Sequence, residues 1–334
     1  TQFNSITPYT KKTKELLNVA LIDPNNFLKN RNDFKILTKL ITIEHAKASK
    51  KLIDLFGYPV ELIGFHGQTI LHDPKNKKST QIGDGKLLSQ CLKKNVIYQF
   101  RENDIKNNGQ GAPLAPIYHK HIINKCFLKL PAIFLNIGGI SNLTYWDGKE
   151  LIGFDIGPGN NLMDDYIQKN FNLLYDTDGY ISKSGKPNLS LVEEYCNSGY
   201  FKETYPKSLD RLTLFKINTF LKILSLDKFD AMSTFCYITM RCIAKSYSLL
   251  PKTPLTTIIS GGGQNNSFLV QLLKENIGGE VFTAAEKNLP GDFIESELIA
   301  FLAARRYRHL PSSFPNTTGV NKPMLLGKLV NYKN

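Results

Sequence analysis

Three short segments of the chain end in clustered glycines: N-I-G-G-I-S-N at 136–142, D-I-G-P-G-N at 155–160 and S-G-G-G-Q-N-N at 260–266. Glycine lets a chain turn sharply and lets a ligand come close to the backbone. The N–H groups of such loops, and of helix N-termini that follow them, form anion sites. Gly138, Gly139, Gly157, Gly159, Asn160, Gly261, Gly262 and Gly263 are therefore candidates for contact with an anion. Any one of these loops is equally well a tight turn with no ligand; three of them, each after an apolar run, form a stronger pattern. None fits G-x-x-x-x-G-K-[ST], nor G-x-G-x-x-G opening a helix, so a P-loop and a dinucleotide fold are both disfavoured.

Asp155 stands where an apolar run meets G-P-G-N. A carboxylate there can hold Mg²⁺ through water, act as a general base, or cap its own turn. G-F-H-G-Q-T puts His66, Gln68 and Thr69 in one stretch, a set suited to hydrogen-bonding a polyol, although a single His is as readily structural. F-R-E-N-D supplies Arg101, whose planar fork suits a carboxylate or phosphate, and Asp104. Glu295 follows G-D-F-I at the head of an apolar helix pattern. It is either a site residue or a first-turn acid favoured by the helix dipole. The Gly/Pro-rich loop from Asn108 to Pro116 has no role that its pattern reveals.

The elements that must position these residues follow from periodicity. Leu37, Leu40, Ile41, Ala48, Leu52 and Leu55 recur at helical spacing after Asp33, a candidate N-cap, and Gly57 and Pro59 end the helix. V-E-L-I-G-F (60–65) reads as a buried strand emptying into a polar H-G-Q-T loop. Ala132–Asn136 reads as a strand, and L-T-Y-W, the Asp147-Gly148 turn and K-E-L-I-G-F-D read as a hairpin. A helix carrying Leu162, Met163, Tyr166 and Ile167 comes next, and T-T-I-I-S (256–260) is a further strand before a helix with Phe268, Leu269, Leu272 and Leu273. Helices are also expected over about 231–249 and 295–307, and the tail after Pro311 should wrap back over the surface. Strands alternating with helices indicate an α/β fold.

Composition sets the bounds. The 334 residues, 42% of them apolar, suffice for one large domain or two smaller ones. No stretch of about 18 apolar residues indicates a membrane span, and no secretory leader opens the chain. The net charge is +13, but Lys is scattered, often beside Asn and Ile, without a basic–aromatic stripe. Nucleic-acid binding is therefore not expected, while anionic small molecules would be attracted. Five cysteines without C-x-x-C spacing give no zinc site or disulfide framework, which fits a reducing cytoplasm.

G-F-H-G-Q-T, F-R-E-N-D-I, G-Q-G-A-P-L-A-P, L-N-I-G-G-I-S-N-L, G-F-D-I-G-P-G-N-N-L-M-D, P-K-S, S-G-G-G-Q-N-N-S-F-L and G-D-F-I-E-S-E-L-I-A-F-L-A stand in this order. Together they resemble the anhydro-N-acetylmuramic acid kinase family, from about Tyr9 to the C-terminus. The resemblance implies an α/β, two-lobed, actin/hexokinase-type ATPase fold with a central cleft. The first lobe would be 1–130 completed by 296–334, and the second 131–295.

It also implies a double reaction. ATP, with Mg²⁺, phosphorylates the sugar 6-oxygen while water opens the 1,6-anhydro bridge, giving N-acetylmuramic acid 6-phosphate for peptidoglycan recycling. On the resemblance, Asp155 activates the water and His66, Thr69, Arg101 and Glu295 line the sugar pocket, with Arg101 facing the lactyl carboxylate. Gly138, Gly139, Gly157, Gly159 and Asn160 lie near the ATP phosphates, and Gly261, Gly262 and Gly263 on the adenosine side. A cytoplasmic homodimer with no membrane or nucleic-acid partner is implied as well. The sequence departs from the family in lacking the opening M-S-G-T-S-x-D-G hairpin, which holds the β- and γ-phosphates. The expectation is a truncated first lobe whose remnant third strand is F-N-S-I-T-P-Y, with an inactive sugar-binding remnant as the alternative function. P-K-S-L-D-R-L also stands where the family has Thr-Gly before Arg.

Overall fold

A computed structural model describes residues 3–209, 214, 218–289 and 291–332. The chain divides into two units, Thr1–Leu114 with Phe293–Asn334, and Ala115–Asp292.

In the first unit, Thr10 caps helix Lys11–Ile22, and its N–H and hydroxyl both donate to the Glu44 carboxylate, at 3.0 and 2.8 Å. Residues 3–9, expected as a remnant strand, are irregular. A strand exists only through its ladder, and no described strand pairs with this segment. Helix Arg31–Phe56 is capped by Asn30, whose side-chain oxygen accepts from Asn32 and Asp33 N–H. Asp33 is thus not the N-cap but a first-turn residue, hydrogen-bonded to the Asn30 amide. The helix buries Leu37, Ile41, Thr42 and Ala46, whereas Leu55 is exposed. Gly57 ends it in the left-handed conformation, φ +70°, with its N–H on the Ile53 carbonyl.

Strand β1 (Leu62–Phe65) follows, and then β2 (Gln68–Asp73) and β3 (Lys78–Ile82) form an antiparallel hairpin. Half of the stretch read as a polar H-G-Q-T loop, Gln68 and Thr69, is therefore strand. Its residues are polar and only half-buried, so no apolar alternation marks them. After helix Gly85–Leu92 comes β4 (Asn95–Tyr98), which pairs parallel to β1.

The second unit opens with helix Pro116–Lys125, then β5 (Ala132–Ile137), β6 (Ile140–Trp146) and β7 (Leu151–Pro158) as an antiparallel meander. Two further strands, β8 (Thr256–Ser260) and β9 (Glu280–Thr283), add in parallel, giving the order β7-β6-β5-β8-β9. Successive strand residues point to opposite faces. Ile133, Leu135 and Ile137 of β5 join a core with Leu162, Met163, Tyr166 and Ile167 of helix Asn161–Phe171 and with Phe235 and Ile243 of helix Lys228–Ser246. Phe134, between them, stacks instead on His119 of helix Pro116–Lys125, ring centroids 4.1 Å apart. Covered on both faces, β5 reads as a nearly continuous apolar run, and β8 is buried throughout although Thr256, Thr257 and Ser260 are polar. Emptying one such site, as in Phe154→Ala, costs about 3–5 kcal/mol.

The chain returns to the first unit with helix Ile294–Tyr307, which packs on β1. Gly64 permits that approach, since a Cβ there would lie 2.6 Å from the Ile299 carbonyl oxygen. The tail wraps back and ends in β10 (Lys328–Val330), antiparallel to β4. Residues 115–130, read from sequence as part of the first lobe, fall in the second unit because helix Pro116–Lys125 packs on β5, β6 and β7. Part of the P-K-S-L-D-R-L departure, residues 210–212, lies outside the described residues.

Candidate active site

The second unit gathers the glycine turns at one end of its sheet. Gly159 and Asn161 N–H both donate to the Gly139 carbonyl (3.0 and 3.2 Å), and Asn160 N–H donates to that of Gly138 (2.8 Å). The β5–β6 turn and the β7 end are thus one structure. Beside them, Gly261 turns the end of β8 at φ +77°, and a Cβ there would lie 2.6 Å from the Asn136 side-chain oxygen.

The glycines serve different ends. A Cβ at Gly139 would strike the Asn161 side chain, one at Gly159 the Gly138 carbonyl oxygen, and one at Gly263 the Ile137 side chain. At Gly157 it would meet Phe201 at 2.7 Å. Packing alone accounts for these four. Gly138 differs: a Cβ there would meet nothing nearer than 3.7 Å, and its φ is not positive. At Gly262 the nearest atom is the Asn160 amide, at 3.2 Å. A methyl group would thus fit in ordinary contact at Gly138, where packing does not force a glycine, while at Gly262 the Asn160 side chain would have to give way slightly. A pocket of about 560 Å³ adjoins Gly262, lined also by Asn160, Asp164, Thr177, Asp178 and Asn265, and its size falls within the range of small-molecule sites.

Asp155 is half-buried within β7, which runs on to Pro158 and does not stop at the carboxylate as the sequence suggests; it is held by the 200–209 segment. Leu209 N–H donates to its Oδ2 at 2.9 Å, its own N–H donates to the Lys207 carbonyl at 3.1 Å, and the Tyr200 hydroxyl donates to its carbonyl at 2.6 Å. Burial, then the Asp155 charge, pushes the Tyr200 hydroxyl far up, so it remains a donor. Lys207 is 5% exposed; burial pulls its ammonium down, against the charges of Glu203, Cys242 and Asp155. Besides its place in P-K-S, the signal for Lys207 is its setting among Tyr200, Phe201, Tyr205 and Pro206, where surface lysines are not expected.

The first unit brings His66 and Arg101 together. His66, at the end of β1, has Nδ1 3.1 Å from the Gly67 carbonyl. Its pKa is lowered to about 4, by burial first and the Arg101 charge second, against that hydrogen bond. It is therefore a neutral imidazole near pH 7. Arg101 Nη1 donates to the Gly111 carbonyl at 3.2 Å. This gives the Asn108–Pro116 loop a role. Asp104, fully buried, accepts from Gly111 N–H and Thr318 Oγ1, both at 2.6 Å, and so holds the carbonyl on which Arg101 rests. Thr69 Oγ1, on β2, accepts from Gln81 at 3.3 Å. Glu295 lies exposed in the first turn of helix Ile294–Tyr307, and among the described residues no hydrogen bond or ion pair joins it to His66, Thr69 or Arg101. No group of three or more His, Cys, Asp or Glu side chains arranged to hold a metal ion occurs among the described residues.

The family model for anhydro-N-acetylmuramic acid kinase matches residues 3–332. The chain belongs to the anhydro-N-acetylmuramic acid kinase family. By that membership it is a kinase, acting in sugar metabolism. The relative named anhydro-N-acetylmuramic acid kinase from Pelagibacter ubique is 40% identical over 310 residues, 90% of this chain and 82% of the relative. That from Rhizobium johnstonii is 39% identical over 298 residues, 86% of this chain and 79% of the relative. Among solved structures, the activator of 2-hydroxyisocaproyl-CoA dehydratase from Clostridium difficile with bound ADPNP gives a TM-score of 0.39 at 12% identity, over 79% of this chain and 82% of that one. That likeness is too loose to add to the family assignment. Among the described residues no helix is long and apolar enough to cross a membrane.

Proposed function

We propose that the chain phosphorylates anhydro-N-acetylmuramic acid at its 6-oxygen with MgATP while water opens the 1,6-anhydro bridge. The observation that carries this reading is the pinned carboxylate of Asp155, on the strand that leads into a junction with the Gly138 turn, where packing does not force a glycine. In one sequence of events, water attacks the anomeric carbon and Asp155 takes its proton. The bridge C–O bond breaks, the released 6-oxygen bonds to the γ-phosphorus, and ADP leaves with the former bridging electrons of the γ-phosphate. A carboxylate fixed through one oxygen by a backbone N–H keeps a constant direction toward that water, and such general-base help is worth roughly 10²–10⁴-fold.

MgATP enters as substrate, its phosphates over Gly138, Gly139, Gly157, Gly159 and Asn160 and its nucleoside toward Gly261, Gly262 and Gly263. The residues fit it: packing does not force a glycine at Gly138, and the pocket beside Gly262 offers space and backbone polarity. Mg²⁺ retains several waters and is commonly held by phosphates with one or two carboxylates, so it would enter with the nucleotide. The sugar falls to His66, Thr69, Arg101 and Glu295. Neutral His66 can donate to or accept from a hydroxyl, and the Arg101 fork suits the lactyl carboxylate. Peptidoglycan recycling by a cytoplasmic homodimer is the setting this reading carries.

The test is labelled anhydro-sugar with MgATP and the purified chain, followed to N-acetylmuramic acid 6-phosphate. Asp155→Asn should lower kcat by at least about 10²-fold while calorimetric affinity for the sugar is retained. Comparable turnover by that variant would remove Asp155 from the reaction.

A further inference from the structure

Three residues of the second unit close a ring of hydrogen bonds at Asp155 of β7. The Lys207 ammonium donates to the Tyr200 carbonyl at 3.2 Å, the Tyr200 hydroxyl donates to the Asp155 carbonyl at 2.6 Å, and the Asp155 N–H donates to the Lys207 carbonyl at 3.1 Å. Two residues further on, Leu209 N–H reaches the Asp155 carboxylate itself. The ring therefore sets both the backbone of Asp155 and the donor that aims its side chain.

Burying an ammonium costs several kcal/mol unless it is well compensated. Here the compensation among the described residues is one carbonyl, two ring faces, Tyr200 at 4.5 Å and Phe154 at 5.7 Å, and the charges of Glu203 and Asp155, neither close enough for an ion pair. A methionine would fill the same volume without that cost. The fold has thus accepted a charge where stability alone favours an apolar side chain, beside the one carboxylate assigned to the chemistry.

We infer that Lys207 is a positioning residue for that carboxylate: its ammonium, through Tyr200, fixes the 200–209 segment on β7 and so the direction of Asp155. The inference rests on the reaction proposed above. Misplacement of a reacting group by about 1 Å can cost 10²-fold in rate. Sugar and nucleotide contacts lie elsewhere, so binding is spared.

Three variants test it: Lys207→Met, which keeps the stem and loses the charge; Lys207→Arg, which keeps a donor and the charge; and Tyr200→Phe, which removes the hydroxyl and leaves the carbonyl that Lys207 uses. Wild-type turnover is measured first, and an inactive wild type sinks the reaction and this inference together. With an active wild type, Lys207→Met should lower kcat about 10–100-fold, with the KM values for sugar and MgATP within about threefold and the melting temperature not lowered. Lys207→Arg should retain more of kcat than Lys207→Met does. Tyr200→Phe should lower kcat about tenfold, and in the double variant the losses should not multiply, because both cut one ring. A kcat for Lys207→Met within twofold of wild type, Lys207→Arg no better than Lys207→Met, or independent multiplying losses would each overturn the role while leaving the reaction standing. If Lys207→Met does not fold, Tyr200→Phe decides alone: a kcat loss at constant KM supports the ring, and an unchanged kcat refutes it.

Discussion

Gly138 and Gly159 lie in the same pair of turns, yet adding one methyl group should do opposite things at the two positions. At Gly159 the new Cβ strikes the Gly138 carbonyl oxygen, so the turns must part. Three N–H···O bonds cross that junction, from Gly159, Asn160 and Asn161. At about 1 kcal/mol net each, losing them costs about 3 kcal/mol, the upper end of what overpacking costs elsewhere. At Gly138 the methyl meets nothing inside 3.7 Å and the backbone is not left-handed, so stability should change by less than about 0.5 kcal/mol. The space it fills is where a phosphate is proposed to sit. Urea denaturation of Gly159→Ala should therefore show a loss of about 2–4 kcal/mol. Calorimetry with a non-hydrolysable ATP analogue and Mg²⁺ should show Gly138→Ala binding at least about tenfold more weakly at unchanged stability. Wild-type nucleotide affinity in Gly138→Ala would refute the phosphate assignment of that turn, and wild-type stability in Gly159→Ala would refute the packing argument.

His66 has a folded pKa of about 4 against an ordinary 6.5. Below pH 6.5 the unfolded chain takes up a proton that the folded chain refuses. Stability should therefore fall as pH drops toward 4, by up to roughly 3 kcal/mol, and level off beneath. Unfolding of wild type and His66→Gln across pH 7 to 4 checks this, since the variant should show a shallower decline, and an equal decline contradicts it. Asp104→Ala should cost about 2–4 kcal/mol, because it strands the buried Gly111 N–H and the Thr318 hydroxyl. It should also raise the sugar KM by loosening the carbonyl under Arg101, and denaturation with steady-state kinetics reads both effects.

The second unit was largely legible from its residues. β5 is apolar because both sheet faces are covered, and the Asp147-Gly148 turn marks the β6–β7 hairpin plainly. The β2–β3 hairpin was not legible, since half-buried Gln68, Thr69 and His72 carry no alternation to read. Asn30 and Asp33 are both acceptable caps by type, and only the hydrogen bonds choose between them. At the candidate site, Asp155 announced itself by closing an apolar run before glycines, although the strand itself continues to Pro158. The residues that hold it, Tyr200, Lys207 and Leu209, come from a segment far along the chain whose hydrogen bonds are mostly backbone, and backbone bonds leave no mark on residue type. Asp104 was named beside Arg101, but its task of anchoring Gly111 and Thr318 depends on contacts as distant in sequence as the C-terminal tail.

The central claim is that one turnover couples opening of the sugar's bridge to transfer of the γ-phosphoryl group. The direct measurement is a single turnover of anhydro-N-acetylmuramic acid with MgATP in heavy-oxygen water, with the product examined by mass spectrometry and phosphorus NMR. The account predicts one heavy oxygen at the anomeric carbon, the original light oxygen between carbon 6 and phosphorus, and one ADP per product. Heavy oxygen in the phosphate, a phosphorylated sugar with its bridge intact, or ADP formed without any sugar phosphate would contradict it.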